Sequence, residues 1–217
     1  MSAQARLKPA WPHVAQSDDA EVLLAALHDG INLAVWQRQL TPQVHNFVVE
    51  ALASNAPLTV ATSITLSDDN PSPDLRALFA RLEHLPGQAD FVADIEQLVA
   101  MYACLLDAGC VGLRLRVLER AMCPRWHVDK VGIRLVTTYQ GPGTEWLQND
   151  DVPRGSLGSP RADDWSALPP TGRIDCGSVA LLKGESWPGN VGQGIVHRSP
   201  SPAMTEPRLM LSLDCLG

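Results

Sequence analysis

The sequence predicts an α+β protein in one domain, residues 1–217, with a mainly helical N-terminal layer (1–110, with short strands) packed on a β-rich half (111–217). Two observations carry this. Through the first half, apolar residues recur at helical spacing behind N-cap and proline start signals. From position 111 the apolar period becomes two, as in half-buried antiparallel strands.

Taken in order, Ser17 with the acidic Asp18, Asp19 and Glu21 predicts a helix start, and Val22, Leu23, Ala26 and Leu27 form its apolar face, with Gly30 as the stop. Residues 31–36 (INLAVW) form a compact strand. Thr41-Pro42 opens a second helix, because proline at the first helical position lacks only an N–H that would be unpaired anyway. The β-branched run 58–66 predicts a strand. Ser72-Pro73-Asp74 repeats the cap-plus-proline device ahead of a helix reaching His84. The longest helix starts near Asp90, carries Phe91, Ile95, Leu98, Val99 and Tyr102 on one face, and stops at Gly109.

In the second half, Val111, Leu113, Leu115 and Val117 share one strand face, opposite Arg114 and Arg116. Residues 131–139 alternate likewise, with Val131, Ile133, Leu135, Thr137 and Tyr139 opposite Arg134, Val136 and Thr138. Further strands are expected at 178–183, 194–198 and 208–215, and residues 148–176 read as a long loop. Loops of that length in a compact domain are usually functional, and the composition of 154–165 suits an active-site lid.

Seventeen Lys and Arg against 24 Asp and Glu give a net charge of −7, which offers no general attraction for nucleic acid or anionic membranes. No apolar run approaches a membrane span, and the N-terminus has no apolar secretory core, so a cytoplasmic setting is expected. Five scattered cysteines without a C-x-x-C argue against a disulfide framework or a Cys-rich zinc site.

The histidines divide by context. His13 lies in the irregular N-terminus, and His28, His45 and His84 sit on expected helices without ligand partners, which suits exposed or structural side chains. His127 and His197 lie in the β half. In His127-Val128-Asp129, residues i and i+2 of a strand project to one face, so an imidazole and a carboxylate converge. The alternation places the pair on the apolar face with Val131, Ile133 and Leu135, where a carboxylate needs a partner. A metal supplies one; an ordinary His–Asp hydrogen bond is the competing reading. His197 lies in GIVHRSP, and Arg208 opens RLMLSLD on the face opposite Leu209, Leu211 and Leu213. Such an arginine suits bidentate capture of a carboxylate, or else a surface ion pair.

Two histidines and a carboxylate describe the facial triad of non-haem iron oxygenases. The order H-x-D, distal His, then Arg resembles the jelly-roll Fe(II)/2-oxoglutarate dioxygenases. That resemblance implies a double-stranded β-helix (cupin-like) in the C-terminal half, with His127, Asp129 and His197 as metal ligands and as the catalytic centre. It implies Arg208 as the anchor of the 2-oxoglutarate co-substrate, with Tyr139 and Ser212 hydrogen-bonding the same carboxylate. Many members carry a hydroxyl residue two positions after the arginine, where Met210 stands here. Over most of the chain, PRWHVDKVGIRLVTTYQGPGTEWL, CGSVALLKGESWPG, GIVHRSP and PRLMLSLD resemble the bacterial family of unknown function DUF1826, whose members are associated with zinc-homeostasis genes.

The expected function is an Fe(II)/2-oxoglutarate oxygenase acting on a small molecule or a protein. The alternative is a non-enzymatic zinc- or iron-binding protein of metal homeostasis, since Zn(II) also accepts His₂Asp; a zinc hydrolase and a metal-free interaction module stand behind these. Trp126 and Trp146 are candidate pocket walls, Trp187 a candidate for the pocket mouth, and Cys123 a candidate soft ligand.

Overall fold

The computed structural model describes residues 14–67, 73–120, 122–152, 154, 157, 168–200 and 207–216. A seven-stranded sheet runs β1 (Val14–Ser17), β2 (Leu33–Trp36), β8 (Val179–Lys183), β5 (Ile133–Gln140), β10 (Arg208–Cys215), β4 (Cys110–Leu118) and β3 (Val60–Thr65) from edge to edge. A three-stranded sheet is ordered β7 (Gly172–Arg173), β6 (Glu145–Leu147), β9 (Val196–Arg198). All described pairings are antiparallel except β1 with β2.

The alternation read from β4 and β10 holds in the pairing, where Leu211 faces Leu115 and Ser212 faces Arg114. Leu113, Leu115, Leu209, Leu211 and Leu213 are fully buried on the side covered by α1 (Pro42–Ala53) and α2 (Gln88–Leu106). Phe47 and Phe91 stack at 4.9 Å between the helices, and the Tyr102 hydroxyl donates to the Ile133 carbonyl at 2.8 Å. The other side of the large sheet meets the small one, with Val35, Val136, Ala180 and Leu182 packed on Trp146, Ile174 and Ile195. Burial of these two apolar faces supplies the main stabilisation.

The N-terminal segment is more than a helical layer, because it supplies three strands of the large sheet, β1 and β2 at one edge and β3 at the other. Ser17 ends β1 rather than capping a helix; Asp19 is the cap, accepting from the Glu21 N–H at 2.9 Å, and the helix that follows is 3₁₀ (Ala20–Leu27). A four-residue strand this short is stabilised by pairing with β2, which local propensity does not reveal. Thr41 caps α1 as expected, accepting from the Val44 N–H with Pro42 behind it. Residues 76–82 form a 3₁₀ helix with no side-chain cap, and Ser72 lies outside the described residues. Asp107, with φ +50°, closes α2 two residues before the expected Gly109. The 148–176 stretch holds β7, so it is not wholly loop. No helix among the described residues is long and apolar enough to cross a membrane.

Candidate metal centre

His197 lies in β9 and His127 is held opposite it by a two-residue antiparallel bridge, with N–H to carbonyl bonds of 3.0 and 2.9 Å in both directions. The imidazole rings stand 4.5 Å apart. After His127 the chain does not continue as a strand. Residues 128–132 are irregular and tied to the segment after β8, where Glu185 N–H donates to Asp129 O at 2.9 Å and Gly184 N–H to Gly132 O at 2.9 Å. A Cβ on Gly184 would stand 2.6 Å from the Asp129 carbonyl oxygen and 2.3 Å from that of Val131, so only glycine lets the two backbones lie flush.

This irregular segment corrects one expectation. His127 and Asp129 do not share the apolar odd-numbered face of β5. Ile133, Leu135 and Tyr139 pack toward the helices, whereas His127 and Asp129 line a cavity with Arg134 and Val136 from the opposite face. Strand parity does not pass through 128–132, because that backbone is not extended.

The ligand atoms of His127, Asp129 and His197 all lie within 4.8 Å of one another, the one such His/Cys/Asp/Glu cluster among the described residues. Nε2 of His127 is 3.8 Å from Asp129 Oδ1, and Nε2 of His197 is 3.5 Å from Asp129 Oδ2. Each ring turns Nδ1 to the carbonyl two residues earlier, Arg125 O at 2.9 Å and Ile195 O at 3.1 Å. With Nδ1 as the donor, Nε2 keeps its lone pair and faces the carboxylate, the tautomer a metal requires. Burial and the neighbouring His197 push the His127 pKa down, which favours the neutral ring. Burial raises the Asp129 pKa, but His197, Arg134 and His127 outweigh it and hold the carboxyl at about 2. The donor set is therefore two imidazoles and a carboxylate, a fit for a divalent first-row cation.

The sequence pattern places Arg134 only as a strand residue, yet it braces the candidate centre. Its Nη1 donates to Asp129 Oδ2 at 2.7 Å, while Nε and Nη2 reach the two oxygens of Asp214 at 2.7 and 2.9 Å. Arg114 Nη1 meets Asp214 from the other side at 2.6 Å. Charge alternation on the even faces of β4, β5 and β10 was the available signal, visible once the strand order is known.

Arg208 is 1% exposed on the same face of β10. Its Nη2 donates to Thr138 Oγ1 at 3.0 Å and Thr144 Oγ1 at 2.9 Å, whereas Nε and Nη1 are buried without a hydrogen-bond partner. Desolvation lowers its pKa to about 10, against a favourable contribution from Cys176. Thr144 lines the cavity that holds the His–Asp–His cluster, about 270 Å³ in volume, and Ser212 lines it too. Thr144 follows a Gly-Pro-Gly turn in which a Cβ on Gly143 would collide with the Ile174 carbonyl oxygen at 1.5 Å.

Tyr139 is not brought to this cavity. It lies on the helix side of β5, where its ring meets Phe91 at 5.0 Å and its hydroxyl donates to Asp94 Oδ2 at 2.6 Å. This is the face that its odd-numbered alternation with Ile133 and Leu135 gives it; the cavity lies on the opposite face of β5, with Arg134 and Val136. Trp126 stacks under Arg198 at 4.0 Å and Trp146 packs between the sheets; Trp187 lines a separate apolar cavity. Cys123 lines the metal cavity without joining the ligand cluster. His28, His45 and His84 are exposed, and His13 lies outside the described residues, as does most of 154–165.

Residues 17–214 match the family described as "Protein of unknown function (DUF1826)". The chain belongs to that family. No curated protein matches this DUF1826 sequence. Solved structures do resemble it. A Neurospora crassa protein in complex with α-ketoglutarate is 16% identical, with a TM-score of 0.51 over 99% of this chain and 88% of that one. The dioxygenase for auxin oxidation 1 of Arabidopsis thaliana, solved with 2-oxoglutarate, is 9% identical, with a TM-score of 0.51 over 94% and 92% of the two chains. At these identities the similarity establishes a shared mixed α/β fold built on a large sheet.

Proposed function

We propose that this DUF1826 protein is a non-haem Fe(II)/2-oxoglutarate-dependent oxygenase on a double-stranded β-helix, with His127, Asp129 and His197 as the iron ligands and Arg208 as the co-substrate anchor. One observation carries the reading. A buried arginine with two unpartnered donors bonds Thr144, and Thr144 lines the cavity that holds a His–Asp–His cluster. An unsatisfied buried guanidinium is costly, and an anionic oxygen acceptor such as a carboxylate relieves that cost.

Bound iron, 2-oxoglutarate and O₂ supply the oxidation, in which the oxoacid becomes succinate and CO₂ and a substrate C–H becomes C–OH. The chain's own part is to hold and orient. Arg208 with Thr138 and Thr144 receives the remote carboxylate of the oxoacid. The Nδ1–carbonyl bonds fix both imidazoles, and Arg134 with Asp214 fixes the carboxylate plane of Asp129. The sheet and helix packing behind β5 and β10 keeps these residues on rigid strands.

The test is anaerobic loading with Fe(II) and 2-oxoglutarate. The expected results are a weak visible charge-transfer band and slow succinate formation on admission of oxygen. Stoichiometric zinc with neither signal would overturn the oxygenase assignment.

A further inference from the structure

The chain carries an excess of acid, yet the metal cavity is lined by four arginines, Arg114, Arg116, Arg134 and Arg198, and by one carboxylate, Asp129. Three of the four are engaged by carboxylates: Arg134 by Asp129 and Asp214, Arg114 by Asp214, Arg198 by Glu145 at 2.8 Å. Arg116 has no carboxylate partner among the described residues. It is exposed, and its Nη1 lies 3.6 Å from the Met122 sulfur, a weak acceptor.

From these observations we propose that the primary substrate is a small organic anion, a carboxylate or monophosphate on a short apolar body, held by Arg116. The inference rests on the oxygenase reading of the site. Arg116 and Arg114 stand at alternate positions of β4, on the face that Met210 and Ser212 of β10 share. The Arg114 charge is engaged by Asp214, whereas Arg116 lines the cavity exposed and without a carboxylate partner among the described residues. Arg208 lies deeper and is matched to the co-substrate, so Arg116 is the cation left for a second anion. Met122, Met210 and Val136 supply an adaptable apolar wall for the rest of the molecule.

Size and charge limit the substrate further. A cavity of about 270 Å³ lies at the low end of ligand sites. A nucleic acid needs several phosphate contacts along a track, and one unneutralised arginine in a pocket does not make one.

Three probes test the proposal on the full chain: hexanoate, hexyl phosphate and the neutral hexanamide, titrated with ligand-observed NMR at low salt. Hexanoate or hexyl phosphate is expected to bind roughly tenfold tighter than the amide, the worth of one charge-assisted contact; which anion leads separates carboxylate from phosphate. Arg116→Gln should erase the preference and Arg116→Lys keep part of it; both changes are at an exposed side chain and spare the core. Equal affinity for charged and neutral probes, or a preference unchanged in Arg116→Gln, overturns the proposal. The titrations are repeated with Mn(II) and 2-oxoglutarate bound. Loss of the preference there places the probe at Arg208 and also overturns it. Failure of 2-oxoglutarate itself to bind, with an Arg116-dependent preference intact in the metal-free chain, defeats the oxygenase reading and supports the anion site.

Discussion

Replacing Arg208 by methionine separates what this residue does for folding from what it does for binding. Arg208 is 1% exposed, and its pKa is lowered to about 10, mainly by desolvation. A cation whose folded pKa is depressed is disfavoured in the fold at every pH below that value, and a lowering of this size corresponds to about 3 kcal/mol. The unpaired Nε and Nη1 express the same cost structurally. Against it stand two hydrogen bonds to Thr138 and Thr144, about 1 kcal/mol each. Methionine fills most of the volume and carries no charge, so Arg208→Met should stabilise the ligand-free chain by about 1 kcal/mol, or roughly 2–4 °C in Tm at this size. Calorimetry with and without 2-oxoglutarate and Mn(II) reads both halves. The wild type should gain about 3 kcal/mol at a hundredfold excess over Kd, and the variant nothing beyond the gain from metal. A ligand-free variant several degrees less stable would refute the view of Arg208 as an unsatisfied cation awaiting an anion.

Other changes test neighbouring parts of the site. Tyr139→Phe removes a donor to Asp94 and should cost about 1.5–3 kcal/mol in urea unfolding, with 2-oxoglutarate affinity unchanged. Arg134→Gln breaks the links to Asp129 and Asp214 and should destabilise by about 3 kcal/mol by denaturant titration. Gly184→Ala drives a methyl into two carbonyl oxygens, so metal affinity measured by competition with a chelator should fall at least tenfold as Asp129 is displaced. Glu145 is raised by burial but brought below its ordinary 4.5 by Arg173 and Arg198. Its stabilising contribution is therefore complete above 4.5 and lost as pH falls through the lowered folded value, and Glu145→Gln should flatten the acid limb of stability against pH.

The strands of the second half were legible because one face of each is apolar, and that pattern survives folding in β4 and β10 residue for residue. Arg208 was found for the same reason: its parity puts it opposite Leu209, Leu211 and Leu213. Parity misled where the backbone leaves the extended state. At Asp129 the turn over 128–132 moves the carboxylate to the other side of the sheet, and Tyr139, which keeps its alternation with Ile133 and Leu135, is thereby left on the face away from the cavity. The irregular turn has no local signature; it arises from contacts with residues 184–186. Arg134 and Asp214 were invisible as a pair, since 80 residues separate them and only the strand order joins them.

These charges belong to one arrangement rather than to separate ion pairs. Asp214 is 5% exposed and takes three hydrogen bonds from Arg134 and Arg114; Arg134 turns its third nitrogen, Nη1, to Asp129. A metal ligand free to rotate would lose orientation each time the ion left. Here one oxygen of Asp129 is held by an arginine that is itself held, so the carboxylate keeps its direction without the ion. The cost is paired charge buried beneath the cavity, where apolar residues would pack as well or better. A purely structural sheet gains nothing from that exchange. On the proposed reading, a sheet that presents the same three ligand atoms through repeated cycles of binding gains preorganisation, which accounts for the cluster of arginines on one face of an acidic chain.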